Sequence, residues 1–166
     1  MGVSGTLTVS ARLNYTGVLD LSTVSQPLAY QVAQAFATGT GANQATKLFT
    51  DTRTLAASTA EDLDLAGVLV DAFGATLTFA SVRGLIIAAA PTNVNNVIVG
   101  NAASNGFISW VGGATHTITV RPGGVFALLT PDAAGYAVTA ATADLLHVAN
   151  GGAGTSVNYD VVILGT

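Results

Sequence analysis

Thr6-Leu7-Thr8-Val9-Ser10-Ala11-Arg12-Leu13-Asn14-Tyr15 alternates polar and apolar side chains without a break. A period of two is the spacing of a β-strand, in which successive side chains point to opposite faces. Leu7, Val9, Ala11, Leu13 and Tyr15 therefore share one face, and Thr6, Thr8, Ser10, Arg12 and Asn14 share the other. The segment reads as a half-buried strand.

The same reading extends along the chain. Residues 19–25 form a polar link, and Pro27 opens the next element. Residues 28–36 fit a helix face through Leu28, Val32 and Phe36 and a strand face through Tyr30, Val32 and Phe36. We read them as strand, because a lone helix would sit oddly among so many strands. Residues 39–43 are a loop. In residues 47–55, Lys47, Phe49, Asp51 and Arg53 are set on one side and Leu48, Thr50, Thr52 and Leu55 on the other. Residues 60–65 alternate, with Leu63 and Leu65 inward. Residues 67–74 are turn-rich, and a longer run from Thr76 stops at Pro91. Short strands are expected at 97–99, 107–111, 116–120 and 125–129. Residues 144–148 and 156–164 flank the Gly-rich 150–154, which predicts a closing β-hairpin.

About nine or ten short strands with little helix suggest a β-sandwich or jelly roll. We divide the chain into an N-terminal arm or hairpin, residues 1–40, and a β-sandwich domain, residues 41–166.

Composition narrows the function. Among 166 residues, 5 are Lys or Arg and 9 are Asp or Glu, giving a net charge of −4. An average domain is about 25% charged, and this chain is 8% charged. Five scattered cations neutralise few phosphates, which argues against nucleic-acid binding. There is no Cys for a disulfide or thiolate-metal scaffold. The longest apolar run, residues 84–90, is bounded by Arg83 and Pro91 and is far short of a spanning helix. The start, with an initiator Met1, carries no signal-like pattern. The expectation is a soluble chain with no targeting segment and no membrane partner. Fourteen charged side chains cover only about a quarter of the roughly 7,500 Å² that a monomer of this mass exposes. Charge depletion of this kind fits a surface buried in an assembly.

Few residues invite chemistry. His116 and His147 each fall in a strand pattern, with no second His or carboxylate at ligand spacing. Glu61, Asp62 and Asp64 are the acidic cluster. Asp62 and Asp64 share a strand face, and they read as solvated, as partners of Arg53 or Arg83, or as weak Ca²⁺ ligands. The loops at 39–41 and 151–155 lack the residues of a phosphate loop and read as turns requiring positive φ. Asn14-Tyr15-Thr16 matches a glycosylation sequon, without meaning in the absence of a secretory signal. Trp110, Phe107 and Tyr136 are the candidate stacking residues for a glycan, with a core role for Trp110 as the alternative. Asp51 and Arg53 are a candidate surface or inter-subunit pair. We assign no catalytic, cofactor-binding or metal site, and read the chain as a non-enzyme.

Residues 41–45 (GANQA), 49–55 (FTDTRTL), 60–67 (AEDLDLAG), 71–74 (DAFG) with 77–79 (LTF), 121–126 (RPGGVF) and 159–162 (YDVV) resemble small virion proteins of tailed bacteriophages and prophages. The resemblance covers roughly residues 40–166. It implies a capsid cement or decoration protein with a jelly-roll-like sandwich, often trimeric, binding the major capsid protein across capsomer junctions on the capsid exterior. No active-site residue is carried over. A tail or head-fibre module for host glycan recognition is the alternative.

Overall fold

A computed structural model describes residues 2–166; Met1 lies outside the described residues. Twelve strands follow one another: β1 (Gly5–Val18), β2 (Thr23–Thr38), β3 (Gln44–Ala45), β4 (Lys47–Leu55), β5 (Ala60–Asp64), β6 (Ser81–Ala89), β7 (Val97–Gly100), β8 (Thr117–Val120), β9 (Val125–Leu129), β10 (Tyr136–Ala137), β11 (Leu145–Asn150) and β12 (Val157–Gly165). The chain is all-β, and no helix occurs among the described residues.

β1 and β2 pair antiparallel over their whole length, from Gly5↔Phe36 to Val18↔Thr23. At about 3.4 Å per residue this ribbon is on the order of 45 Å long. Leu19 N–H donates to Ser22 O (2.8 Å) and closes its tip. The short β3 runs parallel to the end of β2. Pro27, which has no N–H to donate, is tolerated because most of β2 has only one neighbour.

The other strands form two antiparallel sheets. In the first, β6 lies between β12 and the edge strands β9 and β10, and β4 flanks β12 on its far side. The second has the order β5-β11-β7-β8. The chain passes repeatedly between them, and one core lies in the space they enclose. Phe49, Leu85, Ile87, Val161 and Ile163 face it from the first sheet; Leu63, Leu146, Val148, Val97 and Val99 face it from the second. β-Branched and long apolar side chains at every second position make this face. β6 is buried on both faces along most of its length, so its apolar run does not alternate cleanly.

The foot of the hairpin covers the outer face of the first sheet. Phe36, Ala45 and Leu164 form a second small core with Val3, Leu7 and Leu129 against it. Gly84 in β6 makes room: a Cβ there would meet Leu7 Cδ1 at 2.5 Å and Leu164 Cβ at 3.4 Å.

Four expectations need correction. The segments 144–148 and 156–164 are strands but not a hairpin. β11 pairs with β5 and β7, and β12 pairs with β4 and β6. Alternation shows which face of a strand is buried and leaves its neighbour open, and the Gly-rich loop carries the chain from one sheet to the other. Residues 107–111 are not a strand. Phe107 N–H bonds to Leu145 O (2.9 Å), and then Val111 N–H bonds back to Ile108 O (3.0 Å) in a turn. Leu55 shares the inward face of β4 with Phe49, and Leu48 faces out. The run from Thr76 becomes a strand only at Ser81.

Candidate functional site

The hairpin presents the most distinctive surface. Its register sets Val9 opposite Val32, Ala11 opposite Tyr30, Leu13 opposite Leu28, and Gly17 opposite Val24. All of these lie on one face, with Tyr15 and Gln26 between. That face carries no charged residue from Gly5 to Phe36. The opposite face carries Thr6, Thr8, Ser10, Arg12, Asn14 and Thr16. The alternation expected of a half-buried strand is present, but the strand is not half-buried: beyond Leu7 none of the described residues covers the apolar face. Leu13 is 64% exposed, Tyr15 79% and Leu21, at the tip, 100%. The chain exposes 8953 Å², against about 7,500 Å² for a compact monomer of its mass.

A buried arginine holds the root of this hairpin. Arg83, 1% exposed, reaches from β6 to the carbonyl oxygens of Thr40 (2.7 Å), Gln44 (2.9 Å), Ala133 (2.6 Å) and Gly41. Four carbonyl dipoles stand in for a counter-ion and fix the loop between hairpin and sandwich. Asp132 organises the neighbouring turn. It accepts from Thr130 Oγ1 and from the N–H groups of Gly135 (2.9 Å) and Ala134 (2.8 Å), and these bonds hold its carboxyl below the usual carboxylate value.

A second polar cluster lies between the sheets. Arg53 on β4 pairs with Glu61 on β5, and Tyr159 Oη donates to Glu61 Oε1 (3.0 Å). The bond to Glu61 raises the Arg53 pKa further. Burial, followed by the negative charge of Glu61, pushes the Tyr159 phenol well above its ordinary range. Asp51 also meets Arg53, at 2.9 Å.

The acidic cluster divides as its alternation implies. Glu61 turns inward to Arg53, whereas Asp62 and Asp64 face out. Asp64 Oδ1 accepts from Ala66 N–H (2.8 Å), and Arg83 contacts none of the three. The fold gives His147 a carboxylate partner far away in the sequence. The β5–β11 register sets it opposite Asp62, with Nδ1 to Oδ1 at 2.6 Å. Eighty-five residues separate them, so no local spacing signals the pair. His116 precedes β8 in a turn beside Gly112 and Gly113, not within a strand. Among the described residues no three His, Cys, Asp or Glu side chains are grouped to hold a metal.

The aromatic candidates do not form one platform. Phe107 is buried in the core, at 2% exposed. Trp110 packs on Phe126 with ring centroids 5.4 Å apart and donates its Nε1–H to Phe107 O (2.8 Å). Tyr136 pairs with Val82 at the edge of the first sheet. Of the two Gly-rich loops, Gly39, Asn43 and Gly154 adopt positive φ, as turn residues do.

Comparison of the chain with protein-family models, with curated proteins and with solved structures finds no match in any of the three. The described residues thus form a packed, weakly charged body that carries a long ribbon with one bare apolar face.

Proposed function

We propose that the chain is a structural protein of a virus shell, a bacteriophage capsid cement protein. It oligomerises and binds the major capsid protein across capsomer junctions on the head exterior. The observation that carries this reading is the hairpin, whose bare apolar face suits assembly and suits no small ligand. A rigid β body and a low charge density are the other properties that a repeated clamp needs, because many modest contacts sum to strong attachment. The strand orders support a jelly roll. Taking β4, β5, β6, β7, β8, β9, β11 and β12 as strands one to eight, the sheets read 1-8-3-6 and 2-7-4-5, with first and last strands adjacent. The sequence resemblance supplies the phage setting. Glycan recognition has weaker support, since Phe107 and most of Trp110 are committed to packing.

The test is stoichiometry in purified particles of the encoding virus, by quantitative mass spectrometry against the major capsid protein. Copy numbers approaching that of the shell protein are expected. A few copies per particle would move the chain to a vertex, tail or fibre, and absence from the particle would overturn the virion reading.

A further inference from the structure

We infer that the apolar face of the β1–β2 hairpin is a self-docking surface, covered by the same face of other copies of this chain. The inference rests on the assembly reading above and names the occupant of its surface. Val9, Leu13, Tyr15, Leu28, Tyr30 and Val32 form one continuous stripe. It continues the face that, at Leu7 and Phe36, is already packed on the sandwich. Where the sandwich ends the stripe does not, so an apolar surface of the same kind has to take over.

Three observations select another copy. A two-stranded ribbon is marginal in water and needs an apolar cover to persist. Sheet faces pack on one another about 10 Å apart, and the matching uncharged face of a second hairpin has the same length and width. Beyond Leu7 the strip is about 30 Å by 10 Å in projection, and its six partly exposed side chains, at roughly 100 Å² of accessible surface each, offer on the order of 500 Å² per copy, so two copies reach roughly the 1,000 Å² that a specific interface requires. Electrostatics permits the contact. The chain carries −4 overall, yet no charge lies on this face, and Arg12 projects from the other. Copies therefore meet there without opposing like charges across a dry interface.

The experiment is sedimentation velocity on the full chain, with charge-swapped variants. Wild type is expected to sediment as an oligomer. L13K/L28K and L13D/L28D are each expected to sediment as monomers, and mixing the two is expected to restore assembly. A control pair on the opposite face, Ser10→Lys with Gln31→Lys, is expected to leave wild-type assembly intact. Circular dichroism checks that the sandwich is folded, and concentration-dependent amide protection across residues 9–32 of the wild type serves as a second readout. A monomeric wild type would overturn the inference, as would assembly insensitive to the Leu13 and Leu28 charges, or mixing that restores nothing. Those failures leave particle stoichiometry untouched: a monomer abundant on the shell would retain the cement reading and lose self-docking.

Discussion

Leu7, near the start of the hairpin, rests on Gly84, in the middle of the most buried strand of the sandwich. This contact joins the projecting ribbon to the body. A side chain at position 84 would occupy the place of Leu7.

Gly84→Val is therefore expected to lift the hairpin foot. Overpacking of this kind costs about 1–3 kcal/mol. Limited proteolysis within residues 39–43 should accelerate while the core strands stay protected. Gly84→Ala should do less, because the atom it meets is the mobile end of Leu7. Unchanged cleavage in the valine variant would show that the foot does not depend on this contact.

Arg83→Met should be among the most damaging single changes. It leaves the carbonyls of Thr40, Gly41, Gln44 and Ala133 without their donor, each at a cost of about 1–3 kcal/mol where water cannot enter. Urea denaturation should show a loss of at least about 3 kcal/mol, and Arg83→Lys should recover only part of it, since an ammonium has three donors. A loss under about 1 kcal/mol would mean that water replaces the guanidinium.

Shortening the hairpin separates its two parts. Joining Thr8 to Ala33 through an Asn-Gly turn removes the outer stripe and keeps Val3, Leu7 and Phe36 on the sheet. Thermal unfolding should change by no more than about 1 kcal/mol, because the removed side chains touch no core. Deleting residues 2–38 should cost a few kcal/mol more, as the buried Phe36 is worth about 1.5–3 kcal/mol and the partly buried Leu7 less. Equal stability of the two truncated forms would contradict the second core.

The two displaced acids give opposite pH edges. Tyr159 has its folded-state pKa raised from an ordinary value near 10. Its contribution is complete below that pH and is lost as the pH rises above it, because the unfolded chain ionises first. Phenolate absorbance from Tyr159 should appear together with loss of β-structure, and Tyr159→Phe should remove that coupled step. Asp132 has its pKa lowered, so its contribution is present above the ordinary carboxylate range and is lost as the pH falls below it. Asp132→Asn should make acid unfolding less steep. Ionisation of every tyrosine in a chain that is still folded would refute the alkaline half.

The strands were legible where packing is periodic. Leu7 to Tyr15, Leu63 with Leu65, and the outward pair Asp62 and Asp64 all follow from alternation. Pairing was less so: the segments around Leu146 and Tyr159 are neighbours in sequence and belong to different sheets. The Asp62–His147 contact and the Arg83 clamp were hidden for the same reason, since each joins residues brought together only by register or by a loop folding back. Leu13 and Leu28 misled in a more useful way. Their pattern marks one apolar face of the ribbon, and none of the described residues covers it.

The first strand of the sandwich, β4, takes its place beside the last, β12, about a hundred residues later. On the ribosome that interval lasts roughly 5–20 s at ordinary elongation rates. The local contacts of the hairpin close in about 1–10 μs, although the ribbon persists only once its apolar face is covered. Synthesis thus delivers the projecting ribbon first and the strand that completes the first sheet last. A nascent chain therefore exposes its apolar ribbon before its core is finished. The interval during which that apolar face is exposed beside an unfinished core is thus written into the strand order.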